Sequence, residues 1–252
     1  MPEGPSLVIL KEEVAQFKGK KIVSVSGNSR LDIARMEGAK IIDFKTWGKH
    51  FLICFKDFTV RIHFLLFGRY AINDTRPSVA RISMVFSKGE FNLYNCSVQF
   101  IEEPLDSVYD WSADVMSDTW DEKAARKKLR AKPDMLVVDA LLDQTIFAGV
   151  GNIIKNEVLF RIRVHPETTI GALPPRKLTE LVKEARIYSF QFLEWKKAYV
   201  LRKQWKAHAK KICTICAGPL TKVHLGKTNR RTFFCAHCQV KYEKAGAAAV
   251  AH

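Results

Sequence analysis

The sequence predicts an α+β, multi-domain chain: an N-terminal β-sandwich flanked by a helix, then a helical region, then a small four-cysteine zinc finger. Three observations carry that expectation. Apolar residues alternate in short runs between about residues 20 and 103, the period-2 pattern of half-buried strands. Beyond an acidic stretch from Asp106 to Asp121 the apolar spacing changes to helical steps of three and four. Near the end stand Cys213-x-x-Cys216 and Cys235-x-x-Cys238, two pairs at the spacing that lets thiolates grip one tetrahedral zinc.

The elements follow in order. Leu7, Leu10, Val14 and Phe17 predict a helix over 5–18, ended by Gly19. Phe51, Ile53 and Phe55 alternate, Lys56-Asp57 turns the chain, and Phe58, Val60, Ile62 and Phe64 alternate again. Ile82, Met84 and Phe86, a turn over 87–90, then Phe91 and Leu93 make a second hairpin. Short antiparallel strands of this kind pack as a sandwich or barrel. Helices are expected over 121–131, 134–144, 152–160 and 175–205, and the glycine-free stretch 184–211 reads as one continuous helix. The expected divisions are a sandwich domain over 1–120, a helical domain over 121–208, a zinc finger over 209–244 and a disordered tail over 245–252.

Charge narrows the function. From Trp195 to Lys244 there are thirteen Lys/Arg and one acid, Glu243, so this stretch carries +12 of a chain total of +15. Clustered charge on a zinc ribbon suits a polyanion, and the expected partner is nucleic acid. No apolar run has the length of a bilayer span, and no secretory signal opens the chain, so no membrane partner is expected. Six cysteines are too few for a disulfide scaffold, and Cys54 and Cys96 read as core residues. Four thiolates would fill the coordination sphere of a single zinc, which makes that zinc structural.

Two further features bear on chemistry. Gly149-Val150-Gly151-Asn152 sits between helical segments, where glycines let a phosphate approach free N–H groups at a helix start. Alone, a plain interhelical turn explains it better. At the terminus, removal of Met1 would leave Pro2 with a free secondary amine beside Glu3. Such an amine can attack a sugar carbon and form an iminium, and a neighbouring carboxyl group can move the protons.

The combination is more specific than its parts. Met-Pro-Glu-Gly-Pro at the start, Gly48-Lys49, His63 to Gly68, Gly149 to Asn152, His165-Pro166 and the ribbon with Arg230 to Cys235 occur in that order. From residue 2 to about 244 the chain resembles the formamidopyrimidine-DNA glycosylase/endonuclease VIII family of base-excision repair enzymes. The resemblance implies a helix–two-turn–helix domain between sandwich and zinc finger, with damaged DNA in the cleft and the lesion flipped out. It implies that Pro2 attacks C1′ and that Glu3 is the acid/base carboxyl. It implies that Lys49 and Asn152 hold phosphates, with Gly151 beside Asn152, and that Arg230 meets the flipped nucleotide's phosphates. Leu65, Leu66 and Phe67, an apolar triplet expected at a turn, would wedge into the stack; ordinary burial in the sheet explains them as well.

Two departures point toward the endonuclease VIII branch and oxidised pyrimidines: the missing glycines over 184–211 and the intact apolar triplet. An 8-oxoguanine-directed glycosylase is the nearer alternative. A non-catalytic zinc-containing binder of distorted DNA, or an RNA-associated zinc ribbon, is the more distant one. A monomer is expected, in the nucleoid-bearing cytoplasm of a bacterium or the nucleus of a eukaryote.

Overall fold

The structure, a computed structural model, describes residues 2–243. Met1 and residues 244–252, which include the tail expected to be disordered over 245–252, lie outside the described residues. The chain divides between Asp110 and Trp111 into two compact units.

In the first unit, helix α1 (Gly4–Glu13) tightens into a 3₁₀ turn over Val14–Phe17, burying Leu7, Leu10, Val14 and Phe17 as their spacing predicts. Six strands follow: β1 (Ile22–Ser26), β2 (Asp43–Trp47), β3 (His50–Cys54), β4 (Thr59–Ile72), β5 (Ile82–Phe86) and β6 (Glu90–Ile101). They form one antiparallel sheet in the order β1-β5-β6-β4-β3-β2. Its outer edges are stitched together. Ile41 N–H donates to Lys20 O at 3.0 Å and Ile22 N–H to Ala39 O at 3.0 Å, just ahead of β2. This closure removes open edges and wraps the sheet around one apolar core. Phe17 lies there, stacked on Phe86 at 4.3 Å between ring centres. Burying such a ring contributes about 1.5–3 kcal/mol. Cys54 and Cys96 are buried as expected, and burial pushes the Cys96 thiol up to about 12.

A short helix α2 (Leu105–Val108) ends the first unit. In the second unit Asp121 caps α3 (Glu122–Arg130), its side chain accepting from Lys123 N–H at 2.7 Å and Ala124 N–H at 3.1 Å. Then come α4 (Val137–Leu142), α5 (Asn152–Arg161), α6 (Pro175–Lys197) and a single turn, α7 (Leu201–Gln204). Val115 already belongs to this unit's core, together with Leu129, Val158, Leu181 and Tyr188. The ribbon is the hairpin β7 (Thr221–Leu225) and β8 (Arg230–Phe234).

The continuous helix expected over 184–211 does not form. α6 stops at Lys197, Tyr199 takes a left-handed φ of 59°, and residues 205–208 are not helical. For residues 206–208 the reason is a competing acceptor. The buried Glu157 side chain takes the N–H groups of Lys206, Ala207 and His208, at 2.7–3.1 Å, away from any helix.

Candidate functional site

In the first unit Pro2 leads directly into α1. Glu3 occupies the N-cap position with an extended backbone (φ −104°, ψ 168°), and its carbonyl accepts from Ser6 N–H at 2.8 Å. A proline in the first turn, Pro5, pre-sets the entry. Glu3 is only 4% exposed, so its carboxyl group is secluded from water one residue after Pro2.

Lys49 sits on a two-residue hairpin between β2 and β3, where Trp47 pairs with His50. Gly48 supplies the positive φ (54°) at the first central position, as a type II′ turn requires. Beneath the turn lies a cluster that the sequence reading missed. His50 Nδ1 is 3.1 Å from Tyr109 Oη, and Trp47 Nε1 donates to Asp110 O at 2.9 Å. The Trp47 and Tyr109 rings are 4.9 Å apart. Burial, and then the charges of Arg61, His63 and Lys49, bring the His50 imidazole down to about 4, so it is neutral near pH 7. The only signal in the sequence was aromatic residues flanking Gly48-Lys49, which is also what a core strand looks like.

Leu65, Leu66 and Phe67 are not at a hairpin turn. They lie within β4, in a bulge between the pairs Phe64–Cys96 and Arg69–Tyr94, where four residues of β4 oppose Asn95 alone. Nor are they buried: their exposures are 42%, 57% and 72%. A Cβ on Gly68 would lie 2.8 Å from Phe64 Cβ and 2.9 Å from Asn95 O, so the bulge closes only around glycine. Asn95 adopts φ 49° to complete it.

In the second unit the four ribbon sulfurs lie within 4.8 Å of one another, with Cys213–Cys238 at 3.9 Å and Cys216–Cys235 at 3.5 Å. Four sulfurs about 2.3 Å from a central zinc would stand roughly 3.8 Å apart, so the donor set fits that metal. Burial raises the Cys213 thiol, but backbone N–H groups of Cys216 and Ile215 outweigh it and bring it to about 7. Arg230 opens β8 and is exposed. The hairpin tip beside it is pinned by Asp139 of α4, which accepts from Lys227 N–H at 2.8 Å. Asn152 is the first residue of α5 after its N-cap, Gly151. Its Nδ2 donates to Arg231 O at 3.0 Å, while its buried Oδ1 has no partner among the described residues. Asn152 and the Arg230 strand are thus brought together.

The same helix carries residues the sequence reading passed over. Lys155, fully buried, donates to Thr232 Oγ1 at 2.8 Å, and Asn156 Oδ1 accepts from Phe233 N–H at 3.1 Å. With Glu157 they make a buried polar row that docks ribbon and connecting segment onto α5. The signal was Lys-Asn-Glu interrupting an apolar helix, which reads equally well as a solvated face.

This geometry meets its counterparts in known proteins. Residues 1–100 match the formamidopyrimidine-DNA glycosylase N-terminal domain and residues 112–188 the formamidopyrimidine-DNA glycosylase H2TH domain. The two matches take in more than half of the chain, which belongs to the formamidopyrimidine-DNA glycosylase/endonuclease VIII family. Within it, Endonuclease 8-like 3 of Xenopus laevis is 29% identical over 90% of this chain. The chain spans 39% of that protein's length. DNA-(apurinic or apyrimidinic site) lyase Nei2 of Mycolicibacterium smegmatis is 27% identical over 69% of this chain and 71% of its own. The crystal structure of Lactococcus lactis formamidopyrimidine-DNA glycosylase bound to DNA with an AP site shares the fold. Its TM-score is 0.85 at 22% identity, over 95% of this chain and all of that one.

Proposed function

We propose that the chain is a bifunctional DNA glycosylase and AP lyase of base-excision repair that removes oxidised bases, pyrimidines in preference. The observation that carries this reading is the secluded Glu3 carboxyl next to Pro2 at the head of α1. In the reaction, with Met1 removed, the Pro2 nitrogen lone pair attacks C1′, the C1′–base bond breaks toward the base, and the proton released from the nitrogen balances the one the departing base takes up. Glu3 protonates the ring oxygen O4′ as the sugar opens to the iminium. Loss of a C2′ proton expels the 3′ phosphate, and a second elimination expels the 5′ phosphate, leaving a one-nucleotide gap.

Lys49 on its rigid turn and Asn152 at the start of α5 hold backbone phosphates, and Arg230 meets those of the flipped nucleotide. Leu65, Leu66 and Phe67 fill the vacated stack. Unstacking a base costs a few kcal/mol, and exposed apolar side chains recover part of that when they enter the gap. Cys213, Cys216, Cys235 and Cys238 hold one zinc, whose contribution is to fold the ribbon that carries Arg230. The pyrimidine preference is supported by the short path after α6. Only residues 198–200 separate it from α7, and Glu157 ties down 206–208, so no long glycine-rich loop is available to cover a purine.

The test is borohydride trapping on DNA carrying thymine glycol or dihydrouracil, with 8-oxoguanine as comparison. The wild-type chain is expected to form a stable protein–DNA adduct, and Pro2→Gly to form none while still binding. Unchanged excision by Pro2→Gly would remove the nucleophile. Faster release of 8-oxoguanine would reverse the lesion preference.

A further inference from the structure

A groove of about 630 Å³ opens in the first unit next to the bulge, lined by Phe67, Arg69, Arg76, Val79, Arg81 and Tyr94 among others, with no acidic side chain in its wall. A space of this size accommodates a nucleotide. Its walls are held in place. Arg76 N–H donates to the Tyr94 hydroxyl at 3.1 Å, and Arg81 Nη1 donates to Asn28 O at 2.9 Å. Asn28 N–H in turn donates to Ala80 O at 3.0 Å, extending the β1–β5 ladder beyond its last pair. Gly27 lets these backbones meet: a Cβ there would lie 2.4 Å from Arg81 O. None of the three arginines forms an ion pair among the described residues, so three arginines line an open concavity without a counter-charge. Beside them Phe67 and Val79 are 72% and 71% exposed, a place for a base against the charges for its phosphate.

The ladder says which strand it serves. On one side of the bulge lies the Lys49 turn, since His50 pairs with His63 just before Phe64. On the other lies the groove, since Arg81 N–H donates to Leu93 O next to the Tyr94–Arg69 pair. From β3 across β4 and β6 to β5 is three strand spacings, roughly 14 Å, so the groove lies across the bulge from the Lys49 turn, on the side where a second backbone would run. The geometry points to the groove as the seat of the strand opposite the lesion: Arg69, Arg76 and Arg81 hold its phosphodiesters, and Phe67 meets the base left without a partner. This inference rests on the proposed roles of Lys49 and the wedge.

Binding of the full chain to an oligonucleotide carrying a tetrahydrofuran abasic analogue, as duplex and as single strand, tests it. The double variant Arg69→Gln/Arg76→Gln is expected to bind the duplex about tenfold more weakly or worse. Its slope of log affinity against log salt should be shallower by about 0.9 for each lost phosphate contact. Single-strand binding should be unchanged, and Arg69→Lys/Arg76→Lys should restore the duplex slope. Equal losses on both substrates would hand the groove to the damaged strand, and no loss on either would leave it a bare surface. Both outcomes overturn the inference. Trapping of the wild type on a lesion-bearing single strand is read alongside. Its absence on lesion-bearing duplex and single strand alike would sink the glycosylase reading while the binding ratio still decides the groove.

Discussion

Replacing Glu157 offers the sharpest check on how the second unit is assembled. This side chain is fully buried. Its Oε1 accepts from Ala207 N–H at 2.9 Å and His208 N–H at 2.7 Å, while Oε2 accepts from Lys206 N–H at 2.9 Å. Glu157→Ala strands three backbone donors. A buried donor left unsatisfied costs about 1–3 kcal/mol, and the two partly buried ones can recover water, which gives a sum of roughly 3–5 kcal/mol. Glu157→Gln keeps one acceptor but turns an amide N–H toward Lys206 N–H, so about half that loss is expected. Against a domain stability of about 5–15 kcal/mol this is a large fraction. Urea unfolding of the zinc-loaded chain, followed through tryptophan fluorescence, measures it. A loss below about 1 kcal/mol for Glu157→Ala would refute the reasoning, because residues 206–208 would then have other acceptors. Lys206, Lys210 and Lys211 lie on or just past this segment, so DNA affinity should fall in the same order, Ala below Gln below wild type.

Four other perturbations probe different parts of the molecule. Chelating zinc should remove on the order of 10 kcal/mol of local folding free energy from the ribbon, collapsing DNA affinity until zinc is returned; full affinity in metal-free protein would contradict the assignment. Gly68→Ala should cost about 1–3 kcal/mol as the bulge reopens, lowering excision more than DNA binding; an unshifted melting temperature would show that the bulge has room. Asp139→Ala removes an acid, so simple electrostatics predicts tighter DNA binding, whereas loss of the Lys227 N–H anchor at the hairpin tip predicts weaker binding; the sign of the change decides. The His50 imidazole is held near 4 in the fold against 6.5 in its absence, so the unfolded chain binds the proton first as pH falls. Its contribution is complete above pH 6.5 and declines on the order of 2–3 kcal/mol toward pH 4; a wild-type minus His50→Asn stability difference that stays flat from pH 7.5 to 4.5 would exclude this.

Periodicity and spacing reached far into this molecule. Residues 51–64 became β3 and β4, the Cys-x-x-Cys pairs became a cluster of metal-binding size, and Asn152 begins α5 where its glycines placed it. These are local properties: a period of 2 or 3.6, or two thiols one turn apart, depends on a few neighbouring residues. The misjudged segments were those where a distant group intervened. Residues 206–208 have helical composition, yet a carboxyl group about fifty positions earlier in the chain captures their N–H groups. The apolar triplet at 65–67, expected at a turn with wedging and burial equally open, lies instead within β4, where Asn95, thirty residues on, alone faces the excess residues and they are pushed outward.

By itself the sequence determined the order of strands, helices and ribbon, four cysteines at metal-binding spacing, and a Pro2-Glu3 pair of the kind a Schiff-base enzyme uses. Only the tertiary structure decided that Glu3 is secluded, that Leu65, Leu66 and Phe67 stand in solvent, and that Arg69, Arg76 and Arg81 share one groove. The physical reason is that burial, exposure and convergence of charge depend on which segments the sheet and its bulge bring side by side, and no run of consecutive residues records that.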